Sequence, residues 1–490
     1  MSTDTSYDSL FGSDSEQASP LEASATLSQK SPCQAGGHSA APSASNPDES
    51  NTFSNDTSHS PPAWLDEDPA CGLAWAKDGL HLHPTCTIEP TIESIVTILK
   101  SALGSNREYD VRFLHQGALS RLFDVFFDNQ AFVMRICLPV CPRMKTESEI
   151  ATLDWVCRHT PLPVPRVVAY DVSRGNPIGF EWVLMTKLEG KPLLECWASV
   201  TMGSKERLVR QIAAFSAAAF AQPFREGIGS VFKATDNSNS RAYGRRATFD
   251  HNRGPFSDIC DWMLSRLRLA SSDLTSRLGD AIDEMERDTF RQMLDMNKRI
   301  ERLVSKISPS SAPRPPGEFQ GEAIHAEPGT GLVDTVLCHD NLSLDNILVN
   351  DDGILTGVLD WQCISCLPLH EASQFPAFLQ QAYDRSEEPV GRRYLIDEGG
   401  PPHPAYARNR KRYELTRLRQ LYIEEMMQRA PGVVDVWRDE ASADLRDLEA
   451  AVQNCDNEFT IGVVGEWVAA VENERGFTHT TKRLHELLME

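Results

Sequence analysis

The sequence contains no apolar run of about 18 residues, so nothing in it reads as a membrane-spanning helix. It lacks the basic start and apolar middle of a signal peptide; the N-terminus, MSTDTSYDSLFGSDSEQ, is polar and acidic. The chain is therefore expected to stay in the cytoplasm and to bind no membrane. Positive charge is scarce, with 48 Lys and Arg against 70 Asp and Glu and a formal net charge of −22. Broad nucleic-acid binding needs a basic face, so no nucleic-acid partner is expected. The 12 cysteines have no repeated spacing. In an intracellular chain of this size they read as reduced thiols, several of them buried. Only Cys363-Ile-Ser-Cys366 has the spacing of a metal half-site, and without a second pair it reads as two small core-facing side chains.

What is present is a chain of 490 residues, 41% hydrophobic and 24% charged, which is long enough for a large soluble core. Residues 1–62 are rich in Ser, Thr, Asp, Asn and Pro, with too few aliphatic residues to offset ordering entropy, and read as a disordered tail. A second such segment, 308–331, is broken by prolines and glycines and reads as a surface insertion. Residues 63–110 form an N-terminal extension.

From 111 to 188 the pattern predicts short strands with one helix. Val125-Phe-Phe and Ala131-Phe-Val-Met-Arg-Ile read as a hairpin turning at Asp128-Asn-Gln. Lys145–His159 carries Ile150, Leu153 and Cys157 at helical spacing and ends at Pro161, Pro163 and Pro165. Val167-Val-Ala-Tyr and Trp182-Val-Leu-Met read as further strands. From about 203 onward helices dominate, at 204–221, 256–270, 279–306, 411–428 and 440–453. The predicted class is α+β: a small antiparallel sheet lobe with one helix at 111–188, then a larger helical lobe at 189–490.

The most informative stretch is VLCHDNLSLDNILVNDDGILTGVLDWQ, residues 336–362. Ile347-Leu-Val and Ile354–Leu359 flank Asn350-Asp-Asp-Gly353, a hairpin by pattern. Antiparallel pairing then brings Asn346, at one mouth, to Asp360, just past the return strand, with the loop His339-Asp340-Asn341 preceding them. Two carboxylates and an amide around one point suit magnesium, a hard cation that takes oxygen ligands. The same residue types also suit capping of a tight turn.

This stretch resembles the catalytic and metal loops of the aminoglycoside-phosphotransferase and choline-kinase-like family, especially its fungal branch. The family has a two-lobed, protein-kinase-like fold. Its pattern is His-x-Asp, four residues, Asn, a hairpin and an Asp, matched here by His339, Asn346 and Asp360. The continuation Trp361-Gln-Cys-Ile-Ser-Cys-Leu-Pro-Leu is also similar. Upstream, Arg135 stands where the family has its phosphate-binding base, and Glu149 where it has the helix acid that pairs with that base. Thr146-x-x-Glu149 also fits a helix capping box. Leu188-Glu189-Gly-Lys-Pro-Leu resembles the link between lobes, and His115-Gln-Gly117-Ala-Leu-Ser120 the phosphate-covering loop. The likeness runs over roughly 111–380 with the insertion excluded.

The resemblance implies ATP and Mg²⁺ and transfer of the terminal phosphate to a hydroxyl of a small molecule. It implies nucleotide contacts from Arg135, Glu149, Gly117, Ser120 and Glu189, metal contacts from Asn346 and Asp360, and a catalytic loop of His339, Asp340 and Asn341. One departure bears on catalysis: the family expects Asp where this chain has Asn341. An amide can orient a hydroxyl but cannot usefully accept its proton at neutral pH. Asp340 is expected to substitute in part, with Asp345 a further candidate. Glu424, Glu425, Asp435 and Asp439 are candidates to meet a cationic acceptor. The competing expectation is a catalytically impaired nucleotide-binding or scaffold protein. A protein kinase is disfavoured by the missing HRD, DFG and APE triplets.

Overall fold

The structure, a computed structural model, describes residues 72–78, 81–225, 227–233, 240–242, 254–306, 334–380, 384–391, 403–473 and 483–488. All lie in the unit Pro69–Glu490. The tail expected at 1–62 and the insertion expected at 308–331 lie outside the described residues.

Strands β1 (Leu73–Asp78) and β2 (His81–Cys86) pair as an antiparallel ribbon. Helix α1 (Ile92–Leu103) starts at Thr91, whose hydroxyl accepts the Ser94 N–H at 3.2 Å, a side-chain N-cap. There follow β3 (Asp110–Gln116), β4 (Ser120–Phe127), β5 (Gln130–Cys137), helix α2 (Met144–His159), β6 (Val167–Asp171) and β7 (Glu181–Thr186). The five strands β3 to β7 form one antiparallel sheet in the order β3-β4-β5-β7-β6. The β4–β5 turn falls at Asp128 and Asn129, with φ of +49° and +58°, the left-handed pair that a two-residue hairpin turn demands and that Asp and Asn tolerate. Ile95, Ile98 and Leu99 of α1 pack into one buried cluster with Val111, Phe123, Val125 and Phe132. Part of the 63–110 segment therefore completes the core of this lobe.

The chain then passes through β8 (Lys191–Pro192), α3 (Leu193–Cys196), α4 (Met202–Phe220), β9 (Gly229–Lys233), β10 (Ser240–Ala242), α5 (Ile259–Asp280) and α6 (Glu284–Val304). The helix expected at 256–270 runs further, and the next starts later. Asp258 caps α5 by accepting the Cys260 and Asp261 N–H groups, and Asp283 caps α6 through Glu286. Next come β11 (Thr335–Cys338), β12 (Ile347–Val349), β13 (Leu355–Val358), β14 (Ser365–Pro368) and α7 (Leu369–Ala372), then α8 (Ala405–Arg429), α9 (Pro431–Arg438), α10 (Glu440–Gln453), α11 (Ile461–Asn473) and α12 (Leu484–Leu487). A small sheet β13-β12-β8 and a four-stranded sheet β10-β9-β14-β11 are set among these helices. No described helix is long and apolar enough to cross a membrane. An antiparallel sheet lobe followed by a mainly helical lobe is the α+β, kinase-like arrangement predicted from sequence.

Two contacts fix the link between the lobes onto the β12–β13 hairpin. Gly190 has φ +118°, and a Cβ there would stand 2.8 Å from the Val349 carbonyl oxygen. Gly357, on β13, is packed by the Leu188 side chain, 2.4 Å from where its Cβ would be. The Val349 backbone and the Leu188 side chain approach this closely because neither glycine carries a side chain.

Candidate active site

The β12–β13 ladder pairs Ile347 with Val358, and the Leu359 N–H donates to the Asn346 carbonyl at 2.8 Å. Asn346 and Asp360 are thereby brought to the same end of the hairpin, as the pattern predicted. The turn at the other end closes through Gly353, whose φ of +69° is open to glycine, and the Gly353 N–H donates to Asn350 at 2.9 Å. Asp360 itself has φ +59°, a left-handed conformation that is rare for a non-glycine residue and costs of order 1–3 kcal/mol. That conformation follows directly on Leu359, which is bonded at both its N–H and its carbonyl. The Asp360 side chain is exposed.

His339 supplies the second of those bonds. It is 5% exposed, its Nε2 lies 3.0 Å from the Leu359 carbonyl, and its ring meets Trp361 edge-on with centroids 4.7 Å apart. Burial lowers the His339 pKa, so the ring is neutral, Nε2 carries the proton donated to Leu359, and Nδ1 is an acceptor without a hydrogen-bond partner. Asn346 closes the loop from the other side: its Nδ2 donates to the Asn341 carbonyl at 2.9 Å. The amide group is planar, so this bond turns Oδ1 away from Asn341.

On the sheet, Arg135 of β5 and Glu149 of α2 form a buried ion pair, with side chains 9% and 2% exposed. Burial lowers the Arg135 pKa, and the Cys137 and Asp360 charges oppose that. Arg135 and Asp360 are therefore within electrostatic reach of one another. The capping-box reading of Thr146 and Glu149 does not hold. Thr146 donates instead to Glu181 at 2.5 Å, and Glu149 is paired with Arg135.

Asp340 and Asn341 differ in what they face. Asp340, with His339, lines a cavity of about 90 Å³ in the helical lobe, lined also by Phe215, Phe220, Phe375, Tyr422 and Glu371; Asn341 is not among its lining residues. The Asp340 residue retains surface exposure, but protein crowded around its carboxyl raises the pKa. The Asp360 charge adds to the rise, and a bond from the Asn341 N–H partly opposes it. Burial also pushes Glu371 up to about 7, against the charges of Arg266 and Arg446, and its Oε2 has no hydrogen-bond partner. Two residues lining the cavity beside the aromatic side chains thus carry polar atoms without a partner, Glu371 Oε2 and His339 Nδ1.

Other expectations fare differently. Gly117 and Ser120 close the β3–β4 turn on each other, the Gly117 N–H donating to the Ser120 carbonyl at 2.9 Å. Glu189 is exposed and borders an open cleft of about 730 Å³ along Ala131, Phe132 and the linking residues. Asp345 is an exposed loop residue. The four helix acids do not line the cavity. Glu424 and Asp435 are exposed, Glu425 is paired with Arg210 and Arg429, and Asp439 caps α10. Cys366 is core-facing, but Cys363 is exposed at φ +60°, because the chain turns there after Asp360. The sequence reading missed Glu371 and Glu181; neither lies in a motif, and their partners are distant in the chain.

Comparison with known proteins gives the family of the chain. The model of the phosphotransferase enzyme family matches residues 110–371, from β3 to α7. The chain is 26% identical over 317 residues to a subtelomeric hrmA-associated cluster protein of Aspergillus fumigatus, covering 55% of this chain and 60% of that one. It is 22% identical over 369 residues to altered inheritance of mitochondria protein 9 of Saccharomyces cerevisiae, covering 64% and 59%. The matches thus span about 60% of those relatives' own length. Among solved structures it is similar to aminoglycoside phosphotransferase APH(4)-Ia, at 15% identity and a TM-score of 0.41, covering 78% of this chain and 99% of that one. The family match covers more than half of the sequence and contains Arg135, Glu149, His339, Asn346 and Asp360, and the chain belongs to the phosphotransferase enzyme family.

Proposed function

We propose that the protein transfers the terminal phosphate of ATP, in the presence of Mg²⁺, to a hydroxyl of a small molecule held in the cavity beside Asp340. What supports this reading is that Asn346 and Asp360 share one end of the β12–β13 hairpin, that the Asp360 charge reaches the buried Arg135–Glu149 pair, and that Asp340 lines a cavity.

The donor set fits magnesium. Among the described residues no group of three or more His, Cys, Asp or Glu side chains is arranged to hold a metal. Magnesium is commonly held by one or two protein oxygens plus phosphates and waters, and Asp360 and Asn346 Oδ1 offer that pair. When bound, the ion would neutralise charge on the transferring phosphate. Arg135, fixed by Glu149, would hold the nucleotide phosphates. The base of the nucleotide would lie along the linking residues 186–190, with Glu189 at the rim.

In this mechanism Asp340 is the base. It lines the cavity and its pKa is raised, both of which suit it to accept the proton of the acceptor hydroxyl. Asn341 contributes through its backbone, its N–H to Asp340 and its carbonyl to Asn346. The cavity's acceptor atoms, Glu371 Oε2 and His339 Nδ1, favour a ligand rich in hydroxyl or amine donors, and the aromatic walls favour one with an apolar body.

The amide at 341 favours a second reading, a protein that binds nucleotide without turnover. The two separate in an assay of ATP consumption with a panel of hydroxylated acceptors. Acceptor-dependent turnover that is lost in Asp360→Ala supports the enzyme. Absence of turnover across the panel, with ATP still bound, supports the silent form.

A further inference from the structure

We propose that Glu181 is a positioning residue for phosphate binding: from β7 it supplies the N-terminal cap that helix α2 lacks on its own chain, and so sets Glu149 against Arg135. The inference rests on the reading of Arg135 as the phosphate-binding base.

A helix start leaves N–H groups without intrahelical partners, usually met by a Ser, Thr, Asp or Asn side chain at the N-cap. Helix α2 has no such residue. Its N-cap is Arg143, in a left-handed conformation at φ +63°, and its side chain makes no capping bond. The Glu181 carboxylate, 38 residues along the chain, takes that place. Oε1 accepts the Arg143 backbone N–H, and Oε2 accepts the Thr146 hydroxyl at 2.5 Å. Both of its oxygens are thus spent on the first turn of α2, and a negative charge there also complements the helix dipole.

The position of Glu181 on the sheet explains the consequence. Glu181 pairs with Cys137, and Val183 pairs with Arg135, so Glu181 is one pleat from the strand position opposite Arg135. Residues two apart on a strand share a face, and Thr146 and Glu149, three apart on a helix, do too. One helix face is therefore tied to the sheet at two points, Thr146 to Glu181 and Glu149 to Arg135. Glu181 is 3% exposed, and burying a carboxylate is costly unless it is bonded and compensated. Burial raises the Glu181 pKa; the Thr146 and Arg143 bonds oppose that, and so, less strongly, do the charges of Lys145, itself 7% exposed with an Nζ that has no hydrogen-bond partner, and Arg174. Without Glu181 the helix start is released, and beside the apolar packing of Ile150, Leu153 and Val156 the Arg135–Glu149 pair is the polar tie that remains.

The test is calorimetric titration of ATP, ADP and adenosine into the full chain with Mg²⁺, using wild type, Glu181→Ala, Glu181→Gln and Thr146→Val. Glu181→Ala should weaken ATP and ADP roughly tenfold, about 1.4 kcal/mol, and leave adenosine unchanged, because only phosphate contacts depend on Arg135. Glu181→Gln keeps an acceptor for the Arg143 N–H and should recover part of the loss. Thr146→Val removes one tether and should show a smaller loss in the same two ligands, which carries the test if Glu181→Ala does not fold. Wild-type-like ATP affinity in these variants, or an equal loss for adenosine, would overturn the inference alone. Absence of ATP binding to wild type would overturn the nucleotide reading and this inference with it.

Discussion

His339 donates from Nε2 to the Leu359 carbonyl at 3.0 Å, and so ties the loop carrying Asp340 to the residue before Asp360. The His339 ring is buried, the bond itself partly so, and burial keeps the ring neutral. His339→Phe retains a ring against Trp361 but leaves the carbonyl unpaired, at an expected cost of about 1–3 kcal/mol in chemical denaturation. Displacing Asp360 should also weaken ATP binding in the presence of Mg²⁺ while leaving Mg²⁺-free binding alone.

Asp340 and Asn341 should separate cleanly. Asp340 lines the cavity, whereas Asn341 does not line it and accepts the Asn346 amide through its backbone carbonyl. Asp340→Asn should lower acceptor-dependent ATP turnover by roughly 10²–10⁴-fold, the usual worth of general acid–base help. Asn341→Ala should cost far less. The reverse order of the two effects would assign the role to Asn341.

Gly190 and Gly357 provide a packing test of the lobe link. A methyl at Gly190 meets the Thr356 hydroxyl, which can move, and the Val349 carbonyl oxygen at 2.8 Å, which cannot, and φ is +118°, a conformation that disfavours any side chain. A methyl at Gly357 meets the end of the Leu188 side chain, which can move. Gly190→Ala should therefore cost more than Gly357→Ala, by about 1 kcal/mol or more in denaturant midpoints converted to free energy.

His370 and Glu371 are adjacent and titrate in opposed directions. Burial, with the Arg446 charge adding, pushes His370 from 6.5 down to about 3, and burial pushes Glu371 from 4.5 up to about 7. As pH falls below 6.5 the unfolded chain protonates His370 and the native state does not, so that contribution to stability is lost toward about 3. Native Glu371 keeps a proton that the unfolded chain releases above 4.5, so its contribution is full below 4.5 and lost as pH rises to about 7. Between 4.5 and 6.5 the two slopes cancel, each being about 1.4 kcal/mol per pH unit. Glu371→Gln removes one of them. Relative to wild type, its stability should rise with pH across that window by about 1.4 kcal/mol per unit, read from denaturation at several pH values. A flat difference would contradict the assignment.

Local patterns carried much of this site. The turn at Asp128-Asn129 and the hairpin around Gly353 are chemically marked, so the strands holding Arg135, Asn346 and Asp360 were legible. Two things were not. Thr146-x-x-Glu149 fits both a capping box and a pairing role, and only the sheet packed against α2 decides between them. Burial also cannot be read from residue type. Glu424, Glu425, Asp435 and Asp439 carry the charge a cationic acceptor would want, but the fold turns them to solvent, arginine or a helix cap. The helix acid that lines the cavity, beside the loop acid Asp340, is Glu371, in a short helix with no motif.

The most direct test is calorimetric titration of ATP into wild type and Asp360→Ala, each with and without Mg²⁺. The account predicts Mg²⁺-dependent binding to wild type and loss of that dependence in the variant. Wild type that is folded and binds no ATP, or a variant that keeps the full Mg²⁺ effect, would contradict it.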